Sequence, residues 1–298
     1  MTVELDVSVV ICTRNRPRDL ERVLQSLAWQ RDAFAEILVI DDSDPERRGE
    51  TSEVCGRLDL PVTVLTKDTP GLTASRNLAL SEVSGDLAMF LDDDVVLRPD
   101  YVSKIAAAFA EHPELAGATG STDDDHEYGW TWLRHLLMVP GRPTGKVYRS
   151  GWATQPPRRR TRDVHWLTGC NMTYRMSVIG PSRFNDEFQG YALGEDLEFS
   201  HRLHLAGHRL MSVGDAHIWH ITSLPKMDRA WGYREMVIRP IVAGRRFTRA
   251  AFLISSLTFR LANTMTNKER AAGNSLGIGD VLRRRPPRNI QAVRKVYR

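Results

Sequence analysis

Apolar residues in the first part of the chain fall into short β-branched runs that alternate with helix-period stretches. Residues 7–12 (Val-Ser-Val-Val-Ile-Cys) form an almost unbroken apolar run, the pattern of a strand buried on both faces. Pro17 then suits the first turn of a helix, and Leu20, Val23, Leu24 and Leu27 recur at i, i+3, i+4, i+7 as one stripe. Further strands are predicted over 36–40, 61–65 and 87–91, with a helix over 75–83 between the last two. Such alternation implies βαβ units, a mostly parallel sheet and right-handed crossovers, which bring all strand carboxyl ends to one edge. Open α/β sheets bind ligands at that edge. Polar clusters follow three of the strands: Thr13-Arg14-Asn15, Asp41-Asp42 and Asp92-Asp93-Asp94.

From about 119 to 163 the periodicity is poor and Gly, Pro, Trp and Arg are frequent, so this stretch reads as loop. Order returns over 166–174 and in a helix starting at Glu195, where Phe199, Leu203 and Ala206 share a face and Gly207 fits the position after the helix end. A short strand over 209–213 leads to His217-Ile218-Trp219-His220. Beyond Pro225 the chain reads as helical to Ala272, and the Arg-rich end past Gly273 as loose. No internal repeat is visible.

The 298 residues, 42% hydrophobic and 26% charged, have an ordinary globular composition long enough for about two domains. The expected division is a domain over 1–224, split at 120 into two halves, and a helical extension over 225–298 with a basic tail. Cys12, Cys55 and Cys170 have neither disulfide-framework nor zinc spacing, which fits a reducing compartment. Met1-Thr2-Val3-Glu4-Leu5-Asp6 lacks the basic and apolar regions of a secretory signal, and the apolar stretch 250–259 is far short of the ~20 residues a spanning helix needs. The expected location is cytoplasmic, with peripheral membrane contact left open by Arg158-Arg159-Arg160 and Arg283-Arg284-Arg285. Those clusters fit equally a solvated face.

Asp92-Asp93-Asp94 carries the strongest chemical signal. Carboxylates at i and i+2 on a strand end can present hard oxygen ligands to Mg²⁺ or Mn²⁺, and a solvated acidic turn has the same residues. The order of Val39-Ile40-Asp41-Asp42-Ser43, Gly71-Leu72-Thr73-Ala74-Ser75-Arg76-Asn77, Ser84-Gly85-Asp86, Phe90-Leu91-Asp92-Asp93-Asp94 and Gly194-Glu195-Asp196-Leu197-Glu198-Phe199 resembles the family 2 glycosyltransferases of the GT-A fold, over roughly 7–220.

The resemblance implies a metal-dependent, inverting transfer of a sugar from a nucleotide-diphosphate sugar, UDP or dTDP by preference, to an unidentified acceptor hydroxyl. It makes 1–224 a GT-A catalytic domain, with 1–120 the nucleotide-binding half and 121–224 the acceptor and base half. It places Asp92 near the ribose and, with Asp94, on the cation, and has Asp93 assist. It also gives Asp42 the N3 proton of a pyrimidine base, Cys12, Thr13 and Arg14 the same nucleotide pocket, and Arg76 the base or diphosphate. Asp196 becomes the catalytic base and Glu195 its neighbour, the two being interchangeable at this stage. His220 is a further metal ligand by the same resemblance, or a hydrogen-bonded core histidine. Asp123-Asp124-Asp125 follows no strong strand and reads as a solvated turn. Trp130, Trp132, Trp152 and Trp166 are sugar-stacking platforms or core in equal measure. Two rival functions remain: a sugar-phosphate nucleotidyltransferase, for which Thr13-Arg14-Asn15-Arg16-Pro17 lacks the glycine-rich loop, and a non-enzymatic nucleic-acid or anionic-membrane binder using the Arg clusters. A nucleic-acid partner is not expected.

Overall fold

The computed structural model of the chain describes residues 5–67, 70–123, 143–186, 188, 193–221 and 227–285. These divide into two compact units, one built from Met1–His126 with Pro156–Thr222 and the other from Glu127–Gln155 with Ser223–Arg298. The first holds the sheet. Its strands are β1 (Val7–Thr13), β2 (Glu36–Asp41), β3 (Val62–Thr66), β4 (Leu87–Asp92), β5 (Val95–Leu97), β6 (Leu115–Asp123), β7 (Arg162–Asp163), β8 (Asn171–Arg175) and β9 (Arg209–His220). They run in the order β3-β2-β1-β4-β8-β6-β9-β5, with β7 on β9.

The first four strands in that order are parallel, as the alternating pattern requires. Successive β1 side chains point to opposite faces. Val7, Val9 and Ile11 pack in one core with Leu20, Val23, Leu24 and Leu27 of helix Pro17–Ala28, while Val10 joins Ala79 and Leu80 of helix Leu72–Glu82 in the other. The chain steps from β1 outward to β2 and β3, then returns to place β4 on the other side of β1. That reversal opens a crevice between the β1 and β4 ends, where Cys12 and Asp92 are register partners.

Beyond β4 the sheet is mixed: β8 is antiparallel to β4 and β6, β9 is parallel to β6, and β5 is antiparallel to β9. Asp93 and Asp94 alone separate β4 from β5, yet β8, β6 and β9 stand between those strands in the sheet. A flat sheet would hold them about 19 Å apart, while three Cα steps reach about 11 Å. The sheet therefore curls, and the curl brings His220, opposite Val95 on β9, to the end of β4.

β6 differs from the expected loop. Its sequence, Leu-Ala-Gly-Ala-Thr-Gly-Ser-Thr-Asp, lacks bulky strand formers because its neighbours leave no room for them. A Cβ on Gly120 would stand 2.5 Å from the Tyr101 ring and 2.6 Å from the Ala216 carbonyl oxygen, and one on Gly117 would stand 2.8 Å from Leu167.

In the second unit, helices Arg229–Ala243, Arg249–Thr266 and Lys268–Leu282 pack Met236, Phe252, Phe259 and Ile278 into a small core. The last helix runs through the stretch expected to be loose. A Cβ on Gly273 would lie 2.0 Å from the Arg229 carbonyl oxygen, so residues that read as helix breakers are the points where two helix backbones meet. Among the described residues no helix is long and apolar enough to cross a membrane.

Candidate active site

The strand ends place three potential ligands together. Asp92 ends β4, Asp94 sits in the turn to β5, and His220 ends β9, with one ligand atom of each lying within 4.8 Å of the others. His220 Nε2 is 3.1 Å from Asp94 Oδ1. Two carboxylates and an imidazole form a donor set suited to a divalent cation.

Asp93 points the other way. Its Oδ2 accepts from Thr13 Oγ1 at 2.8 Å and its Oδ1 from Arg16 Nη1 at 3.1 Å, so it ties the β4 turn to the end of β1. Burial pushes this carboxyl up to about 6 against the lowering pull of Thr13 and Arg16. Asp42, just past β2, accepts from Lys67 Nζ at 2.7 Å and from the Gly71 N–H at 2.9 Å, while its own N–H donates to the Thr13 carbonyl at 2.9 Å. Arg14 is exposed and donates to Asp44 at 3.2 Å. Burial pushes the Cys12 thiol up to about 12; Arg76 and Lys67 oppose the shift, and Asp92 and Asp93 add to it.

Arg76 connects the two halves of the site. It leaves helix Leu72–Glu82 almost fully buried, pairs closely with Glu195 through Nη1, and reaches Asp92 Oδ1 at 3.5 Å and the Gly169 carbonyl at 3.3 Å through Nη2. Phe184 lies 5.5 Å below its guanidinium. The guanidinium is a strut between strand-end and helix-start carboxylates.

Gly194, in the left-handed region at φ 89°, opens helix Glu195–Leu205 and aims both acids inward from its first turn. Glu195 is buried on Arg76, whereas Asp196 is half-buried and accepts from the Gly169 N–H at 2.8 Å and from the Leu197 N–H at 2.7 Å. Burial raises the carboxyls of both; Asp196 adds to the rise at Glu195, and Arg76 opposes it at each. Burial likewise raises Asp92, with Arg76 opposing.

Three residues here escaped the sequence reading. Lys67 follows β3 at the same edge and holds Asp42. Arg16 spans Asp93 and, at 3.5 Å, Asp94. Gly169 supplies both an N–H to Asp196 and a carbonyl to Arg76, and a Cβ there would lie 3.0 Å from Asp196 Oδ2. A glycine inside the ordered stretch predicted over 166–174 was the available signal for that close approach.

Asp123 corrects one expectation. It ends the nine-residue strand β6 and faces His217 Nδ1 at 3.1 Å and Arg159 at 3.6 Å; Asp124 and Asp125 lie outside the described residues. Trp166 is buried, Trp152 packs edge-on against Phe259 with ring centroids 4.6 Å apart, and Trp130 and Trp132 lie outside the described residues.

A curled mixed α/β sheet of this kind is the GT-A fold, and solved structures share it. Residues 1–349 of TarS from S. aureus, solved with UDP-GlcNAc, superpose with a TM-score of 0.56 at 16% identity, covering 95% of this chain and 93% of that one. The mannosyltransferase PcManGT from Pyrobaculum calidifontis, solved with GDP-Man and Mn²⁺, gives 0.55 at 18% identity, covering 98% and 84%. An uncharacterized glycosyltransferase of Haemophilus influenzae is 29% identical over 110 residues, which span 37% of this chain and 36% of that protein. The sequence profile of glycosyl transferase family 2 matches residues 8–180. The chain belongs to that family.

Proposed function

We propose that this chain is a metal-dependent, inverting glycosyltransferase that moves a sugar from a nucleotide-diphosphate donor to an acceptor hydroxyl. The observation that carries the reading is the continuous link from the Asp92–Asp94–His220 ligand cluster through Arg76 to Glu195, with Asp196 beside it. The two solved relatives described above hold UDP-GlcNAc in one case and GDP-Man with Mn²⁺ in the other, which supports a nucleotide-sugar donor. Asp92, Asp94 and His220 would hold the cation. The imidazole favours Mn²⁺ over Mg²⁺, which prefers an all-oxygen shell. Bound there, the cation would offset the charge of the departing diphosphate.

The protein's own groups do the rest. Asp42 is fixed by Lys67 and Gly71, and its carboxylate oxygens keep lone pairs free for the N3–H of a uracil or thymine, consistent with a UDP or dTDP donor. Cys12 and Thr13, at the end of β1 beside Asp42, would line the same pocket. Asp196 is the base of choice over Glu195, because Glu195 spends its carboxylate on Arg76 while Asp196 is held by backbone N–H groups that fix its direction. It takes the acceptor's proton as that oxygen attacks the anomeric carbon from the face opposite the leaving diphosphate. One displacement inverts the anomer.

Asp196→Asn keeps the shape and removes the proton acceptor. Transfer, or donor hydrolysis where water is the acceptor, is expected to fall about 10²–10⁴-fold with UDP-sugar affinity held by calorimetry. Turnover close to the parent's would remove Asp196 from the base role.

A further inference from the structure

The second unit carries a feature that the transfer reaction does not use. Helix Arg249–Thr266 buries Phe252, Ser256, Phe259 and Asn263 on its inner face. An outer face of an ordinary surface helix is polar. Here it is not: Ile254 is 58% exposed, Leu257 49% and Leu261 53%, and Ala250 is exposed one turn before them. At about 100° per residue these four fall within an arc of about 60°, almost opposite the buried set.

The charge along this helix and the turn before it has one sign. Between Glu235 and Glu269 the sequence contains no Asp or Glu, while Arg245, Arg246, Arg249 and Arg260 are all exposed. On the same helical wheel Arg249 and Arg260 lie together on one flank of the helix, about 60–80° from the edge of the stripe, and Arg260 Nε also donates to Ser275 Oγ at 2.6 Å. A two-fold self-contact through this face would bring arginines toward arginines with no carboxylate between them, which argues against a second copy. A nucleic acid would use the arginines and leave the aliphatic side chains in water.

We infer that this helix lies on an anionic bilayer surface, with Ala250, Ile254, Leu257 and Leu261 at the headgroup–acyl boundary and the arginines on lipid phosphates. Aliphatic side chains on one face and basic residues on the flank and in the preceding turn are the two attractions an interfacial helix combines. It lies on the membrane and does not span it.

The test is co-sedimentation of the full chain with vesicles of phosphatidylcholine alone or mixed two to one with phosphatidylglycerol. Binding to the mixed vesicles is expected, weak on the neutral ones and weakening as salt rises. I254S/L257S/L261S is expected to loosen it at least about tenfold, and R245Q/R246Q/R249Q about fivefold per arginine. Neither variant touches the core, so the urea midpoint should stay at the parent's value. Failure of the parent to bind anionic vesicles, or equal binding by the serine variant, would overturn the inference. So would a parent dimer in lipid-free buffer that the serine variant turns into monomer, since the stripe would then belong to a second copy.

Discussion

Cys12 shows how one residue reports on the electrostatics of the whole rim. It is held between the β1 and β4 ends, and burial raises its thiol to about 12 even with Arg76 and Lys67 nearby. At pH 8 the thiolate fraction is then about one in ten thousand. The expected outcome is that Cys12 resists iodoacetamide in the native chain at that pH and reacts in urea, with peptide mapping as the readout; fast native alkylation would contradict it. The sign follows from proton binding. The native thiol keeps its proton where the unfolded one loses it, so its contribution to stability is intact below about pH 8 and is lost as pH climbs toward 12. Residue type made the rim acids legible: Asp42, Asp92, Asp94, Glu195 and Asp196 stand at strand ends or a helix start and carry the family pattern. Lys67 and Gly169 were not legible, because a lysine after a strand and a glycine before one are ordinary until the Asp42 and Asp196 carboxylates are seen against them.

At the scale of elements, β1, β2, β4 and the first helix were readable because each presents a strong period to a core. β6 and helix Lys268–Leu282 were hidden for a shared reason. Close packing replaced their large side chains with glycine, and glycine reads as loop. Two substitutions in that helix separate the packing role of glycine from its cost. A methyl at Gly273 meets the Arg229 carbonyl oxygen at 2.0 Å, so Gly273→Ala is expected to destabilise by about 1–3 kcal/mol as the helices are forced apart. A methyl at Gly279 meets only the tip of Arg283 at 3.8 Å, so Gly279→Ala is expected to stabilise by roughly 0.5–1 kcal/mol through helix propensity. Urea unfolding of both variants checks the pair, and equal effects would mean that helix propensity rather than contact governs this interface.

For the molecule as a whole, the curl of the sheet gathers acids that repel one another in the absence of a cation. Asp94 raises both Asp92 and Asp93 through its charge, and Arg16, Arg76 and His220 are the cationic or protonatable groups set against the three. A site of this kind trades resting stability for binding. Asp94→Asn removes one repelling charge and keeps the shape, so the ligand-free variant is expected to melt within about 2 °C of the parent or above it. With the Mn²⁺–UDP complex, bound as one ligand, at a hundredfold excess over its dissociation constant the parent gains about 2.7 kcal/mol, which moves its melting temperature up by about 5 °C for a chain of this size. The variant should show little of that gain, because the ion loses a carboxylate and the diphosphate loses the ion. A ligand-free variant that melts far below the parent would make Asp94 a structural acid held by Arg16 and His220. An undiminished ligand shift would remove it from the cation site, leaving Asp92 and His220 without the third donor on which the proposed chemistry rests.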